Sequence, residues 1–510
     1  MLVKIFSGAV NGIEAITITL EVNILSGAKF CIVGLPDNAV KESQQRIDSA
    51  LREIGSRIPG KRVIINMAPA DVKKEGSAYD LPLAIGIMAA NEQLSTDKLE
   101  DYMILGELSL DGSLVPVRGV LPITINARSS GFKNIIVPLA NANEAAVVEG
   151  IQVYGFSHIR EVVGFFNQKT DYSPFQFNPY QSDPEEYTYY DFKDVKGQET
   201  VKRALEVAAS GAHNLLMVGS PGSGKTMLAR RLPSILPPMT IEESLETTKI
   251  HSVAGKLSRN CSLITSRPFR SPHHTISGIA LIGGGAYPHP GEISLASNGV
   301  LFLDELPEFQ RAVLEVMRQP LEDRKITISR ARYSVDYPAN FMLVASMNPC
   351  PCGYYNHPTK ECSCTESAVQ RYLSRISGPL LDRIDIHIEV VPVELDKITG
   401  TQEAEPSNII RARVMAAREI QTERFKAYPG IHCNAQMNPG LLKKFCPLDH
   451  QCLTLLKMAM QKFGLSARAY DRIIKLSRTI ADLASSDHIL PQHIAEAIQY
   501  RSLDRESWGK

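Results

Sequence analysis

Residues 219–226 read Gly-Ser-Pro-Gly-Ser-Gly-Lys-Thr, directly after the apolar run Asn214-Leu-Leu-Met-Val and directly before the helical pattern Met227-Leu-Ala-Arg-Arg-Leu. A strand, a glycine-rich loop and a helix in immediate succession leave little freedom in the local fold. Such a loop curls so that successive backbone N–H groups face one point, and the helix N-terminus adds its positive dipole end there. The match to G-x-x-x-x-G-K-[ST] is complete, so Gly219, Ser220, Pro221, Gly222, Ser223, Gly224, Lys225 and Thr226 are expected to cradle nucleotide phosphates. Lys225 is expected on the β/γ oxygens and Thr226 on Mg²⁺. A chance glycine-rich turn would not explain the flanking strand and helix.

Two further apolar runs end in polar residues. Gly299-Val-Leu-Phe-Leu leads into Asp304-Glu305, and Phe341-Met-Leu-Val-Ala-Ser-Met leads into Asn348. Continuous apolar runs fit central strands of a parallel sheet, whose carboxyl ends carry the ligand site. Asp304 is then expected in the Mg²⁺ shell and Glu305 as the group that polarises the attacking water. The Asn348 amide is placed to orient that water or touch the γ-phosphate; a turn asparagine before Pro349 is the competing reading. Arg383 precedes an amphipathic strand at 384–390, and Arg468 opens a helix, where a cation opposes the helix dipole and phosphate contact is the better explanation. Arg383 as a surface ion-pair partner stays open.

At 510 residues and 56.2 kDa the chain exceeds one hydrophobic core, and three domains are expected. Breaks fall at the Pro-, Tyr- and acid-rich stretch around 171–190 and at the Gly/Thr-containing stretch beginning near 396. The expected divisions are 1–170, the linker 171–190, 191–395 and 396–510. In the first, Phe30–Val33 and Arg62–Asn66 read as buried strands, 37–54 as a helix and 108–115 as a hairpin turning at Asp111-Gly112. The last reads as four helices over 407–425, 449–463, 467–483 and 491–501. Charges balance at 55 basic against 55 acidic residues, which excludes a bulk basic coat for nucleic acid but not a few basic loops. No apolar run reaches about 18 residues, and the N-terminus lacks the pattern of a secretory signal, so a cytoplasmic location is expected.

Four of the nine cysteines cluster as Cys350-Pro-Cys352 and Cys362-Ser-Cys364. Clustered thiols in a chain without a secretory pattern point to a tetrahedral structural Zn²⁺; reduced thiols in a loop are the alternative. The alternation over 323–335 reads as a hairpin with Lys325, Arg330, Arg332 and Tyr333 near its tip, where cations would neutralise phosphates and a ring would stack on a base of DNA. A solvated hairpin is the bland alternative. The run 282–290, Ile-Gly-Gly-Gly-Ala-Tyr-Pro-His-Pro, is expected as a flexible insertion.

Taken together, SRPFRSPHH at 266–274, GEISLASNGVLFLDELPEF at 291–309 and GPLLDRIDIHIEV at 378–390 resemble the magnesium-chelatase-like branch of AAA+ proteins. FCIVGLPDNAVKES at 30–43 and NMAPADVKKEGSAYDLPLAIGI at 66–87 look like a Lon-protease-like domain. In that order they resemble the ComM/YifB family. The resemblance implies an α/β fold: an AAA+ P-loop core with an α-helical lid, preceded by an α+β Lon-protease-like (ribosomal S5 domain 2-like) domain. It further implies ATP and Mg²⁺ as cofactors, a ring usually of six subunits, Arg383 as the finger reaching a neighbour's nucleotide, and Arg468 as the sensor-2 arginine. Members are described as helicases driving branch migration of DNA in recombination during natural transformation; a chelatase-like motor remodelling a protein partner is the alternative. Peptidase chemistry is not expected, because Leu121 stands where the family's catalytic lysine would fall and Ser77 then lacks its activator.

Overall fold

The computed structural model describes residues 2–168, 172–176, 190–257, 261–285, 288–330, 333–355, 357, 359–393 and 404–501. Of the linker expected at 171–190 only 172–176 and 190 are among them, and of the break expected at 396–407 only 404–407. Two compact units form: Met1–Pro184 with Ile241–Thr265 and Pro288–Pro290, and Glu185–Thr240 with Ser266–Tyr287 and Gly291–Lys510.

The first unit is built on β1 (Leu2–Asn11), β2 (Glu14–Leu25), β3 (Phe30–Val33), β4 (Arg62–Ala68), β5 (Tyr102–Ile104), β8 (Asn134–Pro138) and β9 (Gln152–Phe156), in the order β3-β4-β2-β1-β5-β8-β9. Period-two burial in β4 puts Val63, Ile65 and Met67 into the core. The wholly buried helix Asp80–Ala90 packs on β1 and β2, its one carboxylate, Asp80, held by Arg46 at 2.6 and 2.9 Å. The helix expected at 37–54 runs Asn38–Glu53, because the Asp37 side chain caps the Val40 N–H at 2.8 Å. The expected hairpin forms from β6 (Glu107–Leu108) and β7 (Leu114–Val115). One expectation is corrected: Phe30–Val33 is not a buried strand. It lies at the sheet edge, paired with β4 alone and only half-buried. The helix Ile241–Val253, although it follows the nucleotide loop in sequence, also belongs here. Its Ser252 hydroxyl donates to the buried Glu144 carboxylate, which also accepts the Leu121 N–H at 2.8 Å.

The second unit carries β10 (Leu215–Val218), β11 (Phe269–Arg270), β14 (Val300–Leu303), β17 (Met342–Met347) and β18 (Ile386–Glu389) in the order β11-β14-β17-β10-β18, every pairing parallel. All residues of β10, β14 and β17 are buried, as both-face coverage requires. Of the insertion expected at 282–290, β12 (Gly283–Gly284) belongs to this unit and β13 (His289–Pro290) to the first, while 286 and 287 lie outside the described residues. β15 (Lys325–Arg330) and β16 (Tyr333–Pro338) form an antiparallel hairpin.

The helices Ser407–Phe425, His450–Phe463, Ala467–Leu483 and Pro491–Gln499 lie where the pattern places them. Asp449 and Ser466 cap two of them, and Gly464 ends one in the left-handed region at φ 61°. A fifth helix, Pro439–Phe445, is not among the expected ones. Val414, Leu456 and Ile473 from these helices share one core with Leu215, Phe302 and Val344 of the sheet. A buried polar chain crosses that core: Arg472 to Asp385 at 2.8 Å, Asp385 to His213 at 3.1 Å, and His213 to Thr479 at 2.8 Å. Burial opposes ionisation of Asp385, but Arg472 and His213 hold its carboxyl far below the usual carboxylate range.

Candidate nucleotide-binding site

Because β17 lies between β14 and β10, the polar ends of three neighbouring strands meet at one edge of the sheet. There Pro221, Gly222, Gly224, Lys225, Thr226, Met227, Asp304, Glu305, Ser346, Met347 and Asn348 line a pocket of about 370 Å³. Gly222 and Gly224 adopt φ of 78° and 91°, conformations that a side chain would strain. The Lys225 ammonium donates to the carbonyls of Gly219 and Ser220 at 2.8 and 2.9 Å and to Asn348 Oδ1 at 3.3 Å. Burial lowers its pKa, while Asp304 and Glu305 act in the opposite sense. The Thr226 hydroxyl donates to Asp304 Oδ2 at 2.7 Å, and the other Asp304 oxygen accepts from the Ser346 hydroxyl and from the Glu305 N–H at 3.1 Å.

The residues fit a magnesium nucleotide. Within the loop, Ser220 Oγ and Ser223 Oγ are buried without a hydrogen-bond partner among the described residues. A cation, a glycine loop and the Thr226–Asp304 pair of oxygens converge beside them. Lys225 and the loop N–H groups would hold phosphates, and Thr226 and Asp304 would hold Mg²⁺. Bound there, Mg²⁺ ATP supplies the electrophilic γ-phosphorus. Glu305, at φ 54°, holds a left-handed conformation that is uncommon for a residue with a side chain. Its carboxylate is half-exposed, with His274 Nδ1 3.5 Å away. His274 and Ser346 are site residues that sequence reasoning missed. His274 closes the run SRPFRSPHH, whose polar end was there to be read.

Arg383 does not line this chain's own pocket; it is 5% exposed, donating to Glu322 at 2.6 Å and to the Pro379 carbonyl at 2.6 Å. Arg468 also lies outside the pocket, largely exposed, 4.0 Å from Asp382, the residue before Arg383. The strand after Arg383 is Ile386–Glu389, and it is buried except at Glu389, so its expected amphipathic character is corrected.

In the β15–β16 hairpin, Arg330 pairs with Tyr333 at the tip, and Arg332 lies outside the described residues. Lys325 is not near the tip. It pairs with Pro338 at the root, about 17 Å of strand away, and is bonded to Asp336 at 3.1 Å. The Ser77 hydroxyl donates to Glu107, Leu121 is buried at a helix start, and the nearby buried Lys74 donates to the Pro69 carbonyl.

The four clustered cysteines converge. Sγ separations are 3.3 Å for Cys350–Cys352, 3.7 Å for Cys350–Cys362 and 3.5 Å for Cys352–Cys362, and all four sulfurs lie within 4.8 Å of one another. A disulfide requires about 2.05 Å. Thiolates about 2.3 Å from a tetrahedral Zn²⁺ stand about 3.8 Å apart, close to the spacing found.

Comparison with known proteins agrees with this geometry. Family models match over residues 191–398 (magnesium chelatase, subunit ChlI), 20–141 (subunit ChlI of Mg-chelatase) and 404–501 (the C-terminal region of magnesium chelatase subunit ChlI). Competence protein ComM of Haemophilus influenzae is 43% identical over 98% of this chain and 97% of its own. The protein YifB of Escherichia coli is 44% identical over 97% and 96%. Lon protease 2 of Bacillus subtilis is 31% identical over 157 residues, 28% of this chain and 27% of the protease. With near-full-length identity above 40% and an AAA+ sheet carrying its phosphate loop at the carboxyl edge, the chain belongs to the ComM/YifB family of magnesium-chelatase-like AAA+ proteins.

Proposed function

We propose that this protein is an ATPase that moves DNA, acting as a ring-forming helicase that promotes branch migration in recombination of incoming DNA. The convergence of Lys225, Thr226, Asp304 and Asn348 on one pocket carries the ATPase reading. In it, Glu305 takes the proton of the attacking water, while Lys225 and the loop N–H groups neutralise charge developing on the phosphates. Arg383, away from its own chain's pocket, acts on the nucleotide of a neighbouring subunit, and Arg468, 4.0 Å from Asp382, serves as the sensor-2 arginine. Arg383 must exchange Glu322 for that phosphate. The cysteine cluster holds one structural Zn²⁺. Near-full-length similarity to a competence protein favours DNA as the track, with Arg330, at the hairpin tip, and Arg332 as the groups that neutralise its phosphates.

The test is binding of a forked DNA across a salt series. Replacing Arg330 and Arg332 with alanine is expected to lower the slope of log K on log salt by about one for each phosphate left without its arginine. DNA stimulation of hydrolysis should fall while basal hydrolysis is kept. Lys325→Ala, at the root and already paired with Asp336, should change little. An unchanged slope in the double variant removes the hairpin as the DNA grip. Hydrolysis indifferent to every DNA tested favours a motor acting on a protein.

A further inference from the structure

The cysteine cluster lies close to the nucleotide site, and the chain between them forms a closed circuit. Cys350, fully buried, follows Asn348 by two residues, and Asn348 Oδ1 accepts from Lys225. Gly353, inside the loop between the first and second cysteine pairs, has φ +85°. A Cβ there would clash with Pro221 Cδ and stand 2.7 Å from its Cγ, so the cysteine loop rests directly on the phosphate loop. The second pair, Cys362 and Cys364, runs into the helix Glu366–Leu373, capped by Thr365. That helix returns to the site: burial pushes the Tyr372 hydroxyl pKa up, and the nearby Asn348 backbone opposes that rise. Just beyond it, Arg375 donates to the Pro307 carbonyl at 3.2 Å and to Glu308 at 3.0 Å, in the segment following Glu305.

Short-range bonds such as His357 N–H to the Tyr354 carbonyl at 3.1 Å hold parts of the loop, and ordering the remainder costs entropy. A metal bound to four thiolates joins both ends of the loop at one point and leaves Gly353 and Asn348 no independent freedom. We propose that a thiophilic divalent metal, Zn²⁺, at Cys350, Cys352, Cys362 and Cys364 clamps the nucleotide site, holding Gly353 against Pro221 and Asn348 at Lys225, so that metal occupancy sets nucleotide affinity. This inference rests on the zinc assignment above and adds the coupling to it.

The experiment uses full-length protein purified without chelators. Zinc is measured by elemental analysis, and affinity is read from the fluorescence of a labelled ATP analogue with Mg²⁺ present. Both are measured before zinc stripping, after stripping and dialysis, and after Zn²⁺ is restored. Stripping is expected to weaken binding about tenfold or more, the worth of one hydrogen bond to a charged group. Restoring one Zn²⁺ per chain should recover the affinity. Gly353→Ala keeps all four ligands, so it should retain zinc yet bind the analogue several-fold more weakly. Affinity within twofold in all three metal states, with one zinc per chain, overturns the coupling and leaves the zinc site standing. Protein without zinc that also fails to bind added Zn²⁺ overturns the zinc assignment itself.

Discussion

Replacing Lys225 with alanine separates the ammonium's role toward nucleotide from its role in the fold. In this structure Lys225 is 9% exposed and donates to Gly219, Ser220 and Asn348. Truncation removes three hydrogen bonds of about 0.5–1.5 kcal/mol each, but it also removes a cation that burial disfavours, so the loss of folding stability should be small, about 1 kcal/mol. Toward nucleotide the variant lacks one charge-assisted bond to phosphate, about 1.5–3 kcal/mol, or roughly 10- to 150-fold in Kd. The loop N–H groups and helix N-terminus remain, so weak binding should persist. Fluorescence titration with a labelled ATP analogue, alongside thermal unfolding, measures both quantities. A change in Kd under about threefold with an unchanged Tm would refute the placement of Lys225 on phosphate.

Glu305→Gln should bind ATP as well as the parent but turn over at least about a hundredfold more slowly, because only the water-polarising step is lost. Normal single-turnover rates in that variant contradict the role of Glu305. Arg383→Ala should be inactive in a uniform assembly, and mixtures with Lys225→Ala should recover part of the ATPase activity under subunit exchange; mixtures that stay inactive contradict an action across subunits. Burial lowers the pKa of both His213 and His387, and Arg501 adds to the effect at His387. With folded pKa values below the unfolded value near 6.5, their stability contribution is complete above that pH and is lost below it. The loss is up to about 1.4 kcal/mol per pH unit for each histidine that stays neutral in the fold. Urea unfolding at pH 7.5, 6.5 and 5.5 checks this, and stability that is flat or rising toward pH 5.5 contradicts it.

The parts of this architecture that local pattern reveals are those where a local rule decides the outcome. The runs at 215–218, 300–303 and 342–347 are apolar throughout because both faces are covered, and their polar ends mark the site. Asp37, Asp449 and Ser466 cap their helices with short-range bonds. Where partners are remote, pattern is silent. Phe30–Val33 is as apolar as a central strand, and only the missing neighbour makes it an edge. Pro439–Phe445 is too short to show a period, although Asn438 capping Leu441 at 3.0 Å and Pro439 in the first turn are legible signals. Alternation marks a hairpin but not its turn, so Lys325 reads as a tip residue although it sits at the root. The approaches of His274 to Glu305, Ser346 to Asp304 and Gly353 to Pro221 join distant segments that no spacing rule links.

The central claim, an ATP-driven motor that moves DNA junctions, meets its most direct test in a four-way junction migration assay with purified protein. The account predicts that the parent converts labelled junctions to duplex products only with hydrolysable ATP and Mg²⁺, and that Glu305→Gln, although it binds ATP, converts none. Junctions left intact by the parent, under conditions where it hydrolyses ATP, would contradict the account.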